Sequence, residues 1–121
     1  MTTGRIPNTK NLGLENTDVK IGDKGEVIVD KNHKTNVENI FAIGDVIDKI
    51  NLTPMAIRAG RVLASRLFGN RKDLVASYEN VPTVVFSQPP VAYIGLNEKE
   101  AIEKFGENNV NIYTSNFYST D

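Results

Sequence analysis

A short apolar run that ends abruptly at a glycine and an aspartate constrains the fold of this chain more than any other feature. Residues 40–43 (IFAI) are rich in strand-forming side chains, and Gly44-Asp45 follows them directly. A run of this length between turn residues is typical of a strand buried on both faces of a parallel sheet. Asp45 is then expected at the carboxyl end of that strand, where open α/β sheets bind their ligands.

A helix is predicted to begin after a connection of several residues. Thr53-Pro54 suits its start, because threonine is a good N-cap and proline is favoured at the first helical position. Gly69-Asn70 predicts a left-handed C-cap at its other end. Between them, small and apolar residues recur at roughly helical spacing: Ala56, Ala59, Gly60, Leu63, Ala64 and Leu67. Strand, turn and helix in succession predict an α/β fold.

The strand end and the helix start together suggest a kind of ligand. The Asp45 carboxylate can accept hydrogen bonds from the hydroxyls of a ribityl or ribose chain. The free N–H groups of the helix at Thr53 can face an anionic or electron-rich group. A reduced flavin, with a polyol at one end and an anionic ring at the other, would span the pair. A strand-end aspartate also occurs as a helix cap or turn residue, so the residues alone leave both interpretations open.

Further elements are predicted on both sides of this unit. Two short β-branched runs flank residues 22–25 (GDKG), which is the composition of a hairpin. His33 lies among asparagine and lysine residues and is interpreted as a solvated loop residue. Beyond residue 80 we predict a buried strand at Thr83–Phe86, a helix from the capping box Asn97/Glu100 to about Gly106, and a strand at Val110–Tyr113.

The composition of the chain argues against several classes of partner and catalytic site. The 121 residues carry a net charge of −1 with both signs interspersed, so neither nucleic acid nor an anionic membrane is the implied partner. No apolar stretch approaches a membrane span, and no signal peptide is visible. The chain has no cysteine and one histidine, with scattered acidic residues and no G-x-G-x-x-G motif. No redox thiol pair, metal site or catalytic triad can be assembled, so we expect no catalytic residue in this segment.

Three linked motifs carry a resemblance to a known family. Residues 35–45 (TNVENIFAIGD) resemble the second FAD-binding motif of the pyridine nucleotide–disulfide oxidoreductases. Residues 52–61 (LTPMAIRAGR) resemble the branch that holds glutathione reductases, trypanothione reductases and large thioredoxin reductases. Residues 81–90 (VPTVVFSQPP) look like the start of the dimer-interface domain of that branch, with Gln88 where the family commonly has histidine.

The resemblance covers essentially the whole chain and implies a fold. It implies part of a three-layer FAD/NAD(P)-binding domain, with a parallel strand, a helix and a β-hairpin, followed by the start of an α+β dimerisation domain. The expected division is the end of an NADPH-binding domain at 1–10, an FAD-binding segment at 11–77 and the beginning of an interface domain at 78–121. We therefore expect a piece of a longer enzyme that is a homodimer. Because no secretion signal is visible, we also expect a cytoplasmic location.

The resemblance also assigns roles to residues that match the FAD site of the family. It implies that Asp45, after Gly44, binds the ribityl chain of FAD. It implies that Leu52 and Thr53 offer backbone N–H groups to the pyrimidine side of the isoalloxazine ring. The helix dipole would then stabilise charge that develops on the ring during reduction.

Three further positions match the NADPH and substrate sites of the family. The resemblance implies that Arg5 lies near the adenine region of NADPH and that the carbonyl of Val84 approaches the nicotinamide amide. Arg61 matches an arginine that faces a carboxylate of glutathione disulfide, whereas trypanothione reductases carry a small residue there. A guanidinium fork suits a carboxylate and repels a cationic substrate. Without the family, Arg61 is an ordinary solvated charge and Val84 an ordinary core residue.

The resemblance implies an enzyme that passes hydride from NADPH to FAD, then electrons to a cysteine pair and on to glutathione disulfide. The cysteine pair, the first FAD motif and the acid–base His–Glu pair match no residues here, so the 121 residues alone are expected to be inactive. Alternatives stay open: a large thioredoxin reductase, a flavin carrier without catalysis, or a dimerisation module. Flavin colour would favour a carrier, and dimerisation without flavin would favour a module.

Overall fold

A computed structural model describes residues 4–117. Residues 1–3 and 118–121, which the predicted domain edges include, lie outside the described residues. The chain divides into two compact units after Tyr78, and each is described by itself. The assignment of residues 1–10, 11–77 and 78–121 to cofactor and interface domains stays a prediction.

The structure has a mixed α/β composition. The first unit contains the long helix α1 (Thr53–Phe68) and two short 3-10 helices at Leu14–Asn16 and Gly44–Ile47. The second unit contains the strands β1 (Thr83–Val85) and β2 (Val91–Tyr93), the helix α2 (Glu98–Phe105) and a 3-10 turn at Glu107–Asn109. The predicted helix in each unit is confirmed.

The ends of α1 differ in detail from the prediction. Leu52, not Thr53, is the N-cap residue, and no side chain caps the helix, so the predicted threonine cap is wrong. Pro54 lies in the first turn, where its missing N–H leaves no donor unpaired. At the other end Asn70 adopts the left-handed conformation (φ 55°), whereas Gly69 does not (φ −105°). The left-handed C-cap is therefore supplied by asparagine alone.

Small residues let α1 pack closely on the segment that precedes it. A Cβ added at Gly60 would lie 3.3 Å from Ile43 Cδ1, and one added at Gly44 would lie 3.4 Å from Ala56 Cβ. The buried apolar residues of the first unit include two of this helix: Val19, Val27, Ile47, Met55, Ala59 and Ala76. Ala59 is fully buried at the centre of the helix, with 0% of its surface exposed. The packing thus fixes the Gly44 turn against the N-terminal half of α1.

The predicted hairpin around residues 22–25 is confirmed, in a minimal form. Ile21 and Val27 form a single antiparallel bridge. The Gly22 N–H donates to the Glu26 carbonyl at 2.8 Å, and the Ile28 N–H donates to the Lys20 carbonyl at 3.1 Å. These bonds close the turn and align its two arms.

The segment 40–43 is extended but does not form the predicted parallel strand. Its one ladder contact is an antiparallel bridge between Phe41 and Lys34, and residues 40–43 are half-buried rather than buried. A parallel strand needs a neighbour that runs in the same direction, and no such strand lies among the residues that the structure describes. The Ala42 N–H instead donates to the His33 carbonyl at 3.1 Å.

The second unit is a β-hairpin followed by a capped helix. β1 and β2 pair in antiparallel register, with Val84 opposite Ala92. The strand at Thr83 is confirmed, but its predicted burial is wrong, because Val84 and Val85 are 46% and 51% exposed. The second strand is Val91–Tyr93 and not the predicted Val110–Tyr113, which is unpaired. Two of the three residues of β1 and all three residues of β2 are exposed.

The helix α2 begins as its sequence predicts. The Asn97 side chain accepts from the Glu100 N–H at 2.9 Å, and the Glu100 carboxylate accepts from the Asn97 N–H at 3.0 Å. This reciprocal capping box satisfies two donors at the helix start. Gly106 ends the helix with φ 84°, a value that favours glycine.

Neither α1 nor α2 is long and apolar enough to cross a membrane, a finding that extends over residues 4–117.

Candidate functional site

The tight turn at Gly44–Ile47 presents an acidic side chain. Gly44 adopts φ 75°, a left-handed conformation that costs glycine nothing, and the chain then turns back on itself. The Asp48 N–H closes the turn by donating to the Asp45 carbonyl at 3.1 Å. The Asp45 side chain is exposed, and its carboxylate has no hydrogen bond or ion pair within the described residues. It is therefore available to accept hydrogen bonds from a ligand.

The hairpin holds this turn in place from one side. The Val27 N–H donates to the Val46 carbonyl at 2.9 Å. The Lys24 ammonium pairs with the Asp48 carboxylate at 3.0 Å. The hydrogen bond and charge of Lys24 hold the pKa of Asp48 below its ordinary value, and a hydrogen bond from Asn51 acts in the same direction. Of the two carboxylates in this turn, Asp48 is thus committed to the scaffold, whereas Asp45 is free.

A cavity of about 380 Å³ opens beside the free carboxylate. Asp45 and Arg5 both line it, together with Ile6, Pro7, Asn8, Val46 and Asn51. The Arg5 guanidinium forms no ion pair with Asp45 in the structure, so both charges stay open to the cavity. A carboxylate that accepts from hydroxyls and a guanidinium that donates to an anion suit a ligand that carries both a polyol and an acidic group.

Of the two backbone N–H groups predicted to bind a ligand at the start of α1, one has no hydrogen-bond partner. The Leu52 N–H donates to the Ile50 carbonyl at 3.0 Å, so it is already paired. The Thr53 N–H has no acceptor within the described residues. Because no side chain caps this end, the positive end of the helix dipole is unscreened there.

The predicted site residues are only partly brought together. Arg5 and Asp45 share the cavity, although the sequence predicted that they serve different cofactors. Leu52 and Thr53 follow Asn51, which lines the cavity, but do not line it themselves. Arg61 lies two turns into α1 on its exposed face. Val84 belongs to the second unit, at the centre of β1.

Asn51 also lines the cavity, although the sequence analysis assigned it no role. Its position between the Asp45 turn and the helix start is the signal that could have identified it, because a polar side chain in so short a connection borders both features. An amide side chain can donate to and accept from a ligand hydroxyl.

His33 is buried, so the prediction of a solvated loop histidine is wrong. Only 2% of its surface is exposed, and its Nε2 lies 2.7 Å from the Tyr78 hydroxyl oxygen. Burial lowers the pKa of His33, the charges of Lys49 and Arg66 lower it further, and Asp30 opposes them. Burial also raises the pKa of Tyr78. The pair therefore links the loop that precedes residues 40–43 to the end of the first unit.

We expect the free energy of unfolding of the first unit to fall as the pH is lowered from about 7.5 to about 5. Because the folded-state pKa of His33 is depressed, the unfolded chain takes up a proton first, near its ordinary pKa of about 6.5. Stability is full above that pH, falls as the pH passes through it, and stops falling below the folded-state pKa. Urea unfolding curves, recorded by circular dichroism across this range, measure the effect.

The matched variant for this experiment is His33→Asn. Asparagine tolerates the left-handed backbone of this position, where φ is 64°. His33 is the only histidine of the chain, so the variant should show a much flatter profile between about pH 7 and pH 5.5. An equally steep profile in both proteins would show that another group is responsible.

No group of three or more histidine, aspartate or glutamate side chains is placed to hold a metal ion among residues 4–117.

Comparison with known proteins gives two family matches. Residues 1–60 match the family described as pyridine nucleotide-disulphide oxidoreductase. Residues 81–121 match the dimerisation domain of the pyridine nucleotide-disulphide oxidoreductases. The two matches follow the order of the motifs in the sequence.

Individual proteins show the same likeness. The chain is 46% identical over 114 residues to a glutathione reductase of Schizosaccharomyces pombe; the match takes in 94% of this chain and 25% of the relative. The HOCl-induced flavoprotein disulfide reductase RclA of Escherichia coli, solved as a Cu(II) complex, superposes with a TM-score of 0.77 at 33% identity. That superposition takes in 85% of this chain and 23% of RclA. A second RclA structure gives a TM-score of 0.74. The chain thus spans about a quarter of the length of these relatives.

Proposed function

The chain belongs to the pyridine nucleotide-disulphide oxidoreductase family, and we propose that it forms part of an NADPH-dependent FAD disulfide reductase that reduces glutathione disulfide. The observation that best supports this proposal is the geometry around Asp45. A free carboxylate stands in a glycine-initiated turn, packed against a helix whose start carries no side-chain cap. A carboxylate that accepts from hydroxyls suits the polyol chain of a flavin nucleotide, and the positive end of a helix dipole suits its electron-rich ring.

The residues of the first unit fit FAD in chemical type. In the proposal, Asp45 accepts hydrogen bonds from ribityl hydroxyls, and the Thr53 N–H and helix dipole face the electron-rich ring. Gly44 is suited to the turn because a side chain there would be strained at φ 75°. When bound, FAD supplies the transfer of reducing equivalents from NADPH towards a disulfide. Since the chain contains no cysteine, the redox-active pair is assigned to segments outside these 121 residues.

NADPH is the proposed source of reducing equivalents. The backbone carbonyl of Val84 is assigned to the nicotinamide amide, and Arg5 keeps its predicted role near the adenine region of NADPH. The dimerisation-domain match supports a homodimer for the longer protein. A cytoplasmic location is part of the same proposal, on the sequence grounds given above.

Glutathione disulfide is the proposed substrate, with Arg61 as a carboxylate-binding residue. The guanidinium of Arg61 is exposed and has no partner within the described residues. The identity to a glutathione reductase supports this substrate over the disulfide of thioredoxin.

A chimeric enzyme tests the proposal. The matching 114-residue segment of the Schizosaccharomyces pombe glutathione reductase would be replaced by this chain. We expect the purified chimera to be yellow, to show a flavin spectrum and to oxidise NADPH in the presence of glutathione disulfide. Oxidised thioredoxin, supplied in parallel, should be a much poorer substrate.

Two results would contradict the proposal in different ways. A chimera that is folded by circular dichroism yet colourless would contradict the flavin assignment. A yellow chimera that reduces thioredoxin better than glutathione disulfide would contradict the substrate assignment and leave the flavin assignment intact. The unmodified host enzyme, prepared in parallel, is the control for expression and flavin loading.

A further inference from the structure

The outward face of α1 combines two arginines with apolar surface. The exposed residues of α1 include Pro54, Ile57, Arg58, Arg61, Ala64 and Phe68, of which Arg58, Arg61 and Ala64 follow one another at a spacing of three. Arg58 and Arg61 are one turn apart, so their Cβ atoms lie about 5–6 Å from each other. Ile57 is 49% exposed beside them. The buried positions Met55 and Ala59 face the core instead, and neither belongs to this exposed set.

The two arginines are uncompensated. The sequence of α1 (TPMAIRAGRVLASRLF) has three arginines and no acidic residue. Arg66 donates to the Asn32 carbonyl at 3.2 Å, whereas Arg58 and Arg61 have no hydrogen bond or ion pair within the described residues. Arg71, just after the helix, pairs with Asp73 at 3.2 Å. Arg58 and Arg61 therefore differ from the other arginines near this helix in having their donors free.

Like charges one turn apart on a helix repel each other and lower its stability slightly. An arrangement of this kind gains from an anion with two acidic groups, because each guanidinium presents a planar fork that matches one carboxylate. A ligand with one carboxylate can satisfy one fork and leaves the repulsion in place. The pair therefore favours ligands in which two carboxylates are close enough to reach both forks.

We propose that Arg58 is a second specificity-determining residue, which binds with Arg61 the two carboxylates of one half of an anionic peptide disulfide. This inference rests on the proposed function, because glutathione disulfide carries two carboxylates in each half. Arg61 meets one carboxylate and Arg58 meets the other, and Ile57 contacts the aliphatic part of the peptide. Substrates whose carboxylates are blocked, or replaced by cationic linkers, cannot pair with either guanidinium and bind weakly.

The test is a binding experiment on the 121-residue chain by nuclear magnetic resonance. Glutathione disulfide is titrated into ¹⁵N-labelled protein, and the side-chain Nε–Hε signals of Arg58 and Arg61 are followed. We expect both signals to shift with one dissociation constant, and Arg58→Gln and Arg61→Gln each to raise it about fivefold. Lys72→Gln removes the same charge from an exposed position outside α1 and should change the constant less than about twofold.

The tetraethyl ester of glutathione disulfide, which lacks all carboxylates, should bind wild type and both arginine variants equally weakly. An Arg58 signal that does not move while Arg61 shifts, or an unchanged constant in Arg58→Gln, would overturn the inference. Absence of any shift at either arginine would overturn it as well. None of these results bears on the flavin assignment, which is tested separately by the colour of the chimera. The amide spectrum of each variant shows whether it is folded.

Discussion

Replacing Ala59 by aspartate is expected to lower the free energy of unfolding of the first unit by about 4 kcal/mol. Ala59 has no exposed surface, and the side chains that form the core with it are apolar. An aspartate there would bury a carboxylate without a partner. Because domains of this size are stable by only about 5–15 kcal/mol, a loss of that size leaves a large unfolded population in mild denaturant.

The matched control is Ala64→Asp, the same substitution on the exposed face of the same helix. It should cost less than about 1 kcal/mol, from the lower helix propensity of aspartate and its position towards the helix C-terminus. Urea unfolding followed by far-ultraviolet circular dichroism measures both variants against wild type. Equal losses at the two positions would contradict the burial that the structure gives to Ala59.

The contrast between Ala59 and Ala64 shows what the sequence could predict. The helical spacing of small residues, with Pro54 near the start and Asn70 after the end, indicated α1 nearly to the residue. The capping box of Asn97 and Glu100 did the same for α2. In each case the signal is local, because the residues that decide the structure lie within one or two turns of each other.

Long-range contacts could not be predicted in this way. His33 looked solvated because its neighbours in sequence are polar, but its partner Tyr78 lies 45 residues away. The apolar run 40–43 has the composition of a buried parallel strand, yet a strand forms only beside a neighbour. The neighbours of a parallel strand can come from any part of a chain, so the sequence of residues 40–43 does not predict them.

The candidate site shows the same division. Gly44, Asp45 and the helix start could be proposed from sequence because a turn residue, an acid and a helix signal occur in order. The entry of Arg5 and Asn51 into the Asp45 cavity was not, since it depends on how the turn and the chain near residue 5 fold together. The commitment of Asp48 to Lys24 likewise depends on the hairpin, 24 residues earlier.

Because Asp45 is unpaired whereas Asp48 pairs with Lys24, the second large expected effect is on the affinity for FAD. In the chimeric reductase, Asp45→Ala should raise the dissociation constant for FAD by more than about a hundredfold. Charge-assisted hydrogen bonds are worth about 1.5–3 kcal/mol each, and a carboxylate that accepts from two ribityl hydroxyls loses both on truncation. Titration of the flavin-free protein with FAD, followed by quenching of flavin fluorescence, measures the change.

Asp48→Ala is the control that distinguishes the loss of a ligand contact from the loss of a negative charge in this turn. It removes a carboxylate of the same charge from the same turn, but one whose oxygen already accepts from Lys24 at 3.0 Å. Its effect should therefore appear in the urea midpoint, with the dissociation constant for FAD changed less than about threefold. If both variants weakened FAD equally, the loss would come from a disturbed turn and not from a specific contact. A normal affinity for FAD in Asp45→Ala would show that this carboxylate does not bind the flavin. The Asp45 side chain has no hydrogen bond or ion pair within residues 4–117, so its removal should not disturb the turn and hide the effect.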